Sequence, residues 1–405
     1  MNLEVLENKY IDLILNRCLN FNKSKSLFIN YIKDNKDFVN KIVSKAQEMG
    51  INDIYLDEED LNITHDLLKK LSMEEIKEDK YFRSDVWDTY ASKNASFLML
   101  ESYIPGLMDD IEEEKISVSN FIKRSTKPLY KKKQMTYDIP WCICCVPNEK
   151  WAELLFPNHN NSYELLYKTI LDICMIDEKN PIDNWNNYIE NTIKKVNKLN
   201  ELKIKKMRYT NSLGTDLTIE LIPDSIWEGV GTGKEKNMLV NMPSYEIFTS
   251  PDYRKTNGIV YSSKPLNYNG AVIDKFWLEF KDGKAINYDA KKGKDILKGI
   301  IESDKTSSYL GEVALVSYDS PISNKNLVFY ETLLDENASC HLALGDGFKT
   351  VLKDYKKFSD EEIKEKGLNS SKVHVDFMIG TSDLNIEAES DKGNITIFKD
   401  GNFNI

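Results

Sequence analysis

Glycine is almost missing from the first half of this chain: of 18 glycines in 405 residues, only Gly50 and Gly106 precede residue 200. A glycine-rich phosphate loop is therefore excluded there. The nearest candidate further on, GVGTGK at 229–234, lacks both the Ser or Thr after the lysine and the loop spacing, so it reads as a turn before a strand. Long apolar runs are absent too, and none reaches the ~20 residues needed to cross a bilayer. The opening stretch MNLEVLENKYIDLILNRC is charged throughout, without the basic start and apolar centre of a signal peptide. No membrane partner and a cytoplasmic location are the expectations. A basic footprint is likewise missing, because the net charge is -11 and the lysines and arginines are scattered. That argues against nucleic acid as a partner. The most basic stretch, Lys123 to Lys133, follows the acidic stretch Asp109 to Lys115, a mixture typical of a solvated surface. Cysteines number six, too few for a disulfide framework in a chain of this size. Four of them lie at Cys18, Cys142, Cys144 and Cys145. The cluster WCICCVP has no CxxC partner for zinc, and with Ile143 and Val146 interleaved it reads as a buried strand.

What remains is an ordinary globular composition, 41% hydrophobic and 29% charged, long enough for two domains with substantial cores. Helical periodicity dominates the first half, as in Leu6, Tyr10, Leu13, Ile14 and Cys18, or Phe38, Ile42, Val43 and Ala46 ending at Gly50. The short run Ile54, Tyr55, Leu56 then predicts a strand. Further helices are expected over Tyr163 to Cys174 and Asn184 to Leu199. Beyond residue 200 strands become frequent: LTIEL, FWLEF, GEVALV, KVHVDFMIG and NITIF. Asp282-Gly283 between FWLEFK and KAINYDA marks a hairpin turn. The expected architecture is an α/β N-terminal domain over 1–200 and an α+β C-terminal domain with a mixed sheet over 201–405.

Histidine is scarce as well, with four in the chain, and two of these sit among carboxylates. In KVHVDFMIG, His374 and Asp376 are two apart, so on a strand they share one face while Val373, Val375 and Phe377 take the other. Imidazole and carboxylate side by side suit a divalent cation. His341 ends YETLLDENASCH, where Glu331, Asp335 and Glu336 precede it in a helix or a helix-to-loop passage. Carboxylates crowded among apolar neighbours need a cation or hydrogen bonds to compensate them. Glu246 in NMPSYEIFTSP and Glu312 in LGEVALV lie among small or apolar residues in the same half. Each of these residues alone fits an ordinary structural role.

Read together and in order, GTDL (Gly214 to Leu217), NMPSYEIFTSPD, KPLNYNG (Lys264 to Gly270), YLGEVALV, SPISNKNLVFYETLLDENASCHLALGDGF and VHVDFMIG resemble the M29 family of metallo-aminopeptidases. Weaker similarity extends through WAELLFP and NWNNYIENTIKKVNKLN in the first half, so it covers nearly the whole chain. The resemblance implies a homodimeric exopeptidase using two divalent metal ions, cobalt or zinc first, with manganese or magnesium compatible. It implies peptide substrates with a free N-terminus and broad side-chain tolerance. It places metal ligands on Glu246, Glu312, His341, His374 and Asp376, with Glu336 a further ligand or near neighbour. One carboxylate must bridge and an unliganded one must carry the proton; Glu312 and Glu336 are the candidates, and either fits either role. Rival readings are another two-metal amidase or dipeptidase, or a weakly active member of the fold that retains metal or peptide binding. The second is motivated by Phe348, which stands in LGDGF where the family shows a tyrosine. A phenyl ring cannot donate the hydrogen bond a phenol can. Tyr355 and Tyr330 are the nearby phenols in sequence.

Overall fold

The computed structural model describes residues 2–21, 25–78, 85–102, 104–176, 180–232, 238–268 and 271–405. Gly233 and Lys234 of the GVGTGK segment, and Asn269 and Gly270 of KPLNYNG, lie outside them. The chain divides into two compact units. One is Met1–Tyr188 with Lys234–Ser244 and Asn269–Ala271, and the other is Ile189–Gly233 with Tyr245–Tyr268 and Val272–Ile405. The division falls inside the helix Pro181–Leu202.

In the first unit strands β1 (Ser26–Ile32), β2 (Asp53–Glu59), β3 (Ser96–Glu101), β4 (Trp141–Cys145) and β8 (Asn241–Met242) form a sheet of order β2-β1-β3-β4-β8. All four pairings are parallel. Parallel strands need crossover connections and are covered on both faces, which is why β1 and β4 are apolar and buried nearly throughout. The cysteines of β4 are thiols within that core; all six in the chain are free and buried. The helix Lys36–Glu48 buries Phe38, Val39, Ile42 and Ala46, and the chain leaves it through Gly50 at φ +84°. The first helix, Leu3–Leu13, widens into a π-turn over Ile14–Cys18, with Leu19 N–H donating to the Ile14 carbonyl at 2.9 Å.

The second unit has two sheets. The larger runs β11 (Leu266–Tyr268), β12 (Ala271–Lys281), β10 (Pro251–Tyr261), β6 (Asp216–Leu221), β5 (Ile204–Thr210), β17 (Asn385–Ser390), β18 (Gly393–Lys399), β19 (Asn402–Phe403), with β13 (Lys284–Lys292) paired to β12. The β12–β13 hairpin turns at Asp282 and Gly283, both at positive φ. The smaller sheet has order β16 (His374–Met378), β15 (His341–Gly345), β14 (Leu310–Leu315), β9 (Ile247–Thr249), β7 (Glu228–Gly229), and its pairs are antiparallel. The first unit is thus α/β and the second α+β. Parallel and antiparallel pairing both occur, in separate sheets.

Two features of the smaller sheet prepare the site. Only Ser250 separates β9 from β10, so the chain passes directly from one sheet into the other. Val313, Leu315, Leu342, Leu344, Val375 and Phe377 pack in one core with Leu217, Ile219, Val260 and Leu278 of the larger sheet. Since neighbours along a strand point oppositely, the residues between them are turned to the other face.

Candidate metal centre

That other face carries the acids and imidazoles. Across β14, β15 and β16, Glu312, Ala343 and Asp376 are register partners, as are Gly345 and His374 on the next rung. A bulge at Gly311 shifts the register so that Glu312 rather than its neighbour faces the cluster; a Cβ on Gly311 would lie 2.1 Å from the Asp346 carbonyl oxygen. Glu246 enters from the residue just before β9. Glu336 closes the helix Thr332–Glu336, and His341 opens β15 four residues after Asn337. The passage before His341 is therefore helix, short loop, then strand.

The six predicted residues do not play equal parts. Glu246, Glu312 and His341 bring ligand atoms within 4.8 Å of one another, and so do Glu312, His374 and Asp376. Glu312 belongs to both groups. His341 Nε2 lies 3.0 Å from Glu246, and His374 Nε2 lies 3.0 Å from Glu312 and 3.4 Å from Asp376. Glu336 stands outside both groups but is close enough that the Asp376 and Glu246 carboxylates, after burial itself, drive its carboxyl well above the ordinary range. The other carboxylates of YETLLDEN are structural: Glu331 caps its helix by accepting from Leu334 N–H, and buried Asp335 accepts from Phe329 N–H at 3.0 Å.

Both imidazoles have their tautomer fixed from behind. His341 Nδ1 is 3.0 Å from the carbonyls of Glu336 and Ser339, and His374 Nδ1 is 2.8 Å from the carbonyl of Asp346. A carbonyl only accepts, so Nδ1 carries the hydrogen and Nε2 turns its lone pair toward the carboxylates. Lone pair against carboxylate at 3.0 Å is repulsive unless a proton or a cation lies between them. Asp376 Oδ1 is buried, with His374 Nε2 at 3.4 Å and no contact of good hydrogen-bond geometry. This donor set therefore fits divalent cations, with hard oxygens, two imidazoles and a buried carboxylate oxygen that lacks a well-formed hydrogen bond. Sequence reasoning missed the supports, Asp346, Ser339 and Asn337. Asn337 accepts from Tyr245 N–H at 2.7 Å and donates to the Leu333 carbonyl, tying the segment of Glu246 to the helix of Glu336. No residue-type signal marks a backbone carbonyl, though Asn337 directly follows Glu336.

Without a cation the cluster holds protons instead. Burial pushes the Glu312 carboxyl up to about 7, with Asp376 and Glu246 adding to the effect and His374 offsetting part of it. Burial opposes charge on both histidines but is outweighed, by Glu246 at His341 and by Asp376 and Glu312 at His374, so both are raised. Asp376 is held down to about 2, burial being overcome by His374 and His341. Between the ordinary carboxylate range and about pH 7, the metal-free folded protein thus binds more protons than the unfolded chain, and its stability falls as pH rises. Asp376 adds nothing to this trend above pH 4. The melting temperature in chelator is expected to drop between about pH 5 and pH 7.5, and excess divalent metal to abolish the drop, since a ligand of the native state stabilises it. Scanning calorimetry decides; a melting point that climbs with pH in chelator would contradict the cluster.

Phe348 lies beside this centre, its ring 5.2 Å from the His374 ring and 4.9 Å from Phe248, and its N–H donates to Ser250 Oγ at 3.0 Å. It packs on a strand histidine and a phenylalanine. Tyr355 packs instead with Ile222, Leu352, Ile363 and Leu368, in a different cluster.

A buried set of carboxylates and backbone-oriented imidazoles gathered in this way is a candidate centre for divalent metal. The sequence profile of the thermophilic metalloproteases (M29) matches residues 4–403. Aminopeptidase AmpS of Bacillus subtilis is 36% identical over 98% of both chains, and aminopeptidase 2 of Geobacillus stearothermophilus 34% identical over 98% of this chain and 97% of its own. The solved structure of wild-type AmpT from Thermus thermophilus superposes with a TM-score of 0.88 over 99% of each chain at 24% identity, which establishes the shared fold. The chain belongs to the M29 family of metallo-aminopeptidases.

Proposed function

We propose that this chain removes N-terminal residues of broad type from peptides, using two divalent cations held on the smaller sheet of its second unit. The observation that carries the reading is that Glu312 is common to two three-residue ligand groups. Glu246, Glu312 and His341 would hold one cation, and Glu312, His374 and Asp376 the other, making Glu312 the shared carboxylate. When bound, such cations supply Lewis acidity to a scissile carbonyl and acidity to a water. Glu336, which stands outside both groups, is the carboxylate that takes the proton of the attacking water and returns it to the leaving amine, its ionised form being favoured once cations occupy the site. The surrounding carboxylates favour a cationic α-amine at the chain end, which suits removal of the terminal residue rather than internal cleavage.

Protein stripped of metal and reloaded with cobalt, zinc, manganese or magnesium should hydrolyse amino-acid anilides and short peptides, and leave their N-acetylated forms intact. Equal cleavage of blocked substrates would remove the exopeptidase reading; cleavage of dipeptides alone would make it a dipeptidase. We further propose a cytoplasmic homodimer, consistent with the relatives' family and with the finding that no helix among the described residues is long and apolar enough to cross a membrane. Light scattering at micromolar concentration is expected to give twice the 46.8 kDa chain mass, and a strictly monomeric, fully active protein would end that proposal.

A further inference from the structure

The cluster does not meet solvent evenly. Side-chain exposure is 1% at His341, 4% at Glu312, 12% at Glu246, 15% at Asp376 and 28% at His374. The way in is therefore on the His374 side. Phe348 stands at that opening, edge to face with the His374 ring. Behind it Phe248, Ala314 and Val351 are buried, while Ile226 and Phe348 itself remain partly exposed as the free border of the same apolar patch. The patch is continuous with the centre, because Phe248, Ala314 and His341 are register partners across β9, β14 and β15. It is also fixed in place. Phe348 N–H is bonded to Ser250 Oγ, and Ile226 N–H donates to the Val351 carbonyl at 2.8 Å.

We propose that the surface of Phe348, Phe248 and Ile226 is the subsite for the N-terminal side chain of the substrate, and that it takes apolar residues such as leucine and phenylalanine. The inference rests on the aminopeptidase reading above and names its substrate class. With the α-amine and the scissile carbonyl at the cluster, one substituent is left on the terminal Cα, and it must lie within a few ångströms of the reacting centre, about where Phe348 is. A buried apolar wall rewards each methylene removed from water. Acidic side chains are disfavoured by the apolar wall, which cannot hydrate or pair their charge. The tip of a lysine would have to leave the patch to stay hydrated.

The test compares kcat/KM for glycine, alanine, leucine, phenylalanine and glutamate p-nitroanilides on metal-reconstituted enzyme. Leucine and phenylalanine should exceed glycine and glutamate by about tenfold or more, the usual worth of a few methylenes in such a pocket, with the difference carried in KM. Phe348→Ala should shrink the phenylalanine-to-alanine ratio about tenfold, and Phe348→Leu, which keeps an apolar side chain, should restore most of it. A flat profile in the unaltered enzyme, or an unchanged ratio in a folded Phe348→Ala protein, overturns the subsite while leaving the peptidase reading intact. Calorimetric titration of the metal-loaded protein with free L-phenylalanine and with glycine supplies a readout independent of turnover. Tighter binding of L-phenylalanine, lost in Phe348→Ala, would uphold the subsite even if no anilide were cleaved, which would sink the peptidase reading alone. Equal binding of the two amino acids overturns it.

Discussion

Glu336→Gln is expected to lower kcat by ~10²–10⁴-fold, the usual contribution of a positioned general acid–base, while metal content stays at its unaltered value. The reasoning is geometric. Glu336 lies outside both ligand groups, so an amide there removes no ligand atom, yet an amide cannot accept and return a proton. Glu312→Gln should behave differently, since Glu312 supplies a ligand atom to both groups. Metal content should fall below that of Glu336→Gln protein, and with it the protection against thermal unfolding. Elemental analysis with steady-state kinetics on the two variants separates the roles. If Glu336→Gln loses metal and Glu312→Gln keeps it, the assignment reverses; if both keep metal and rate, the centre is wrong.

Phe348→Tyr should raise turnover by ~100-fold where the phenol acts directly on the developing oxyanion, the typical worth of one such donor. Phe348 abuts the His374 ring at 5.2 Å, so an added hydroxyl enters the neighbourhood of the centre without disturbing its ligands. Of the two phenols considered for this role, Tyr355 is committed to the cluster with Ile363 and Leu368. Because ring volume is kept, metal affinity and the preference among substrate side chains should hardly move. An increase confined to kcat would locate the effect in the transition state. Unchanged or lower turnover at saturating metal would mean that Phe348 serves packing and side-chain recognition alone.

The elements with clear periodicity were legible in the sequence. KVHVDFMIG is the strand β16 with His374 and Asp376 on one face, WCICC is the buried strand β4, and Asp282-Gly283 turns a hairpin. These follow from local rules: alternation on a pleat, burial of small apolar thiols, and tolerance of positive φ. Less local features were not readable. The strand Asn241–Met242 joins the first sheet although it lies some forty residues beyond the long helix, because strand pairing is a long-range choice with no residue-type signature.

The same distinction runs through the site. Sequence by itself determined which residue types were available, and the order of the motifs picked out Glu246, Glu312, Glu336, His341, His374 and Asp376. Only the tertiary structure decided how they divide. Register across β14, β15 and β16, with the bulge at Gly311, makes Glu312 common to two groups of candidate ligands and leaves Glu336 outside them. Backbone carbonyls of Glu336, Ser339 and Asp346 then set both imidazoles, a task no side-chain identity could announce. Charge and donor chemistry are properties of residues and can be read from the letters. Distance and exposure, which set pKa, ligand sharing and the open side at His374, arise only when strands far apart in sequence are held about 5 Å apart by their hydrogen bonds.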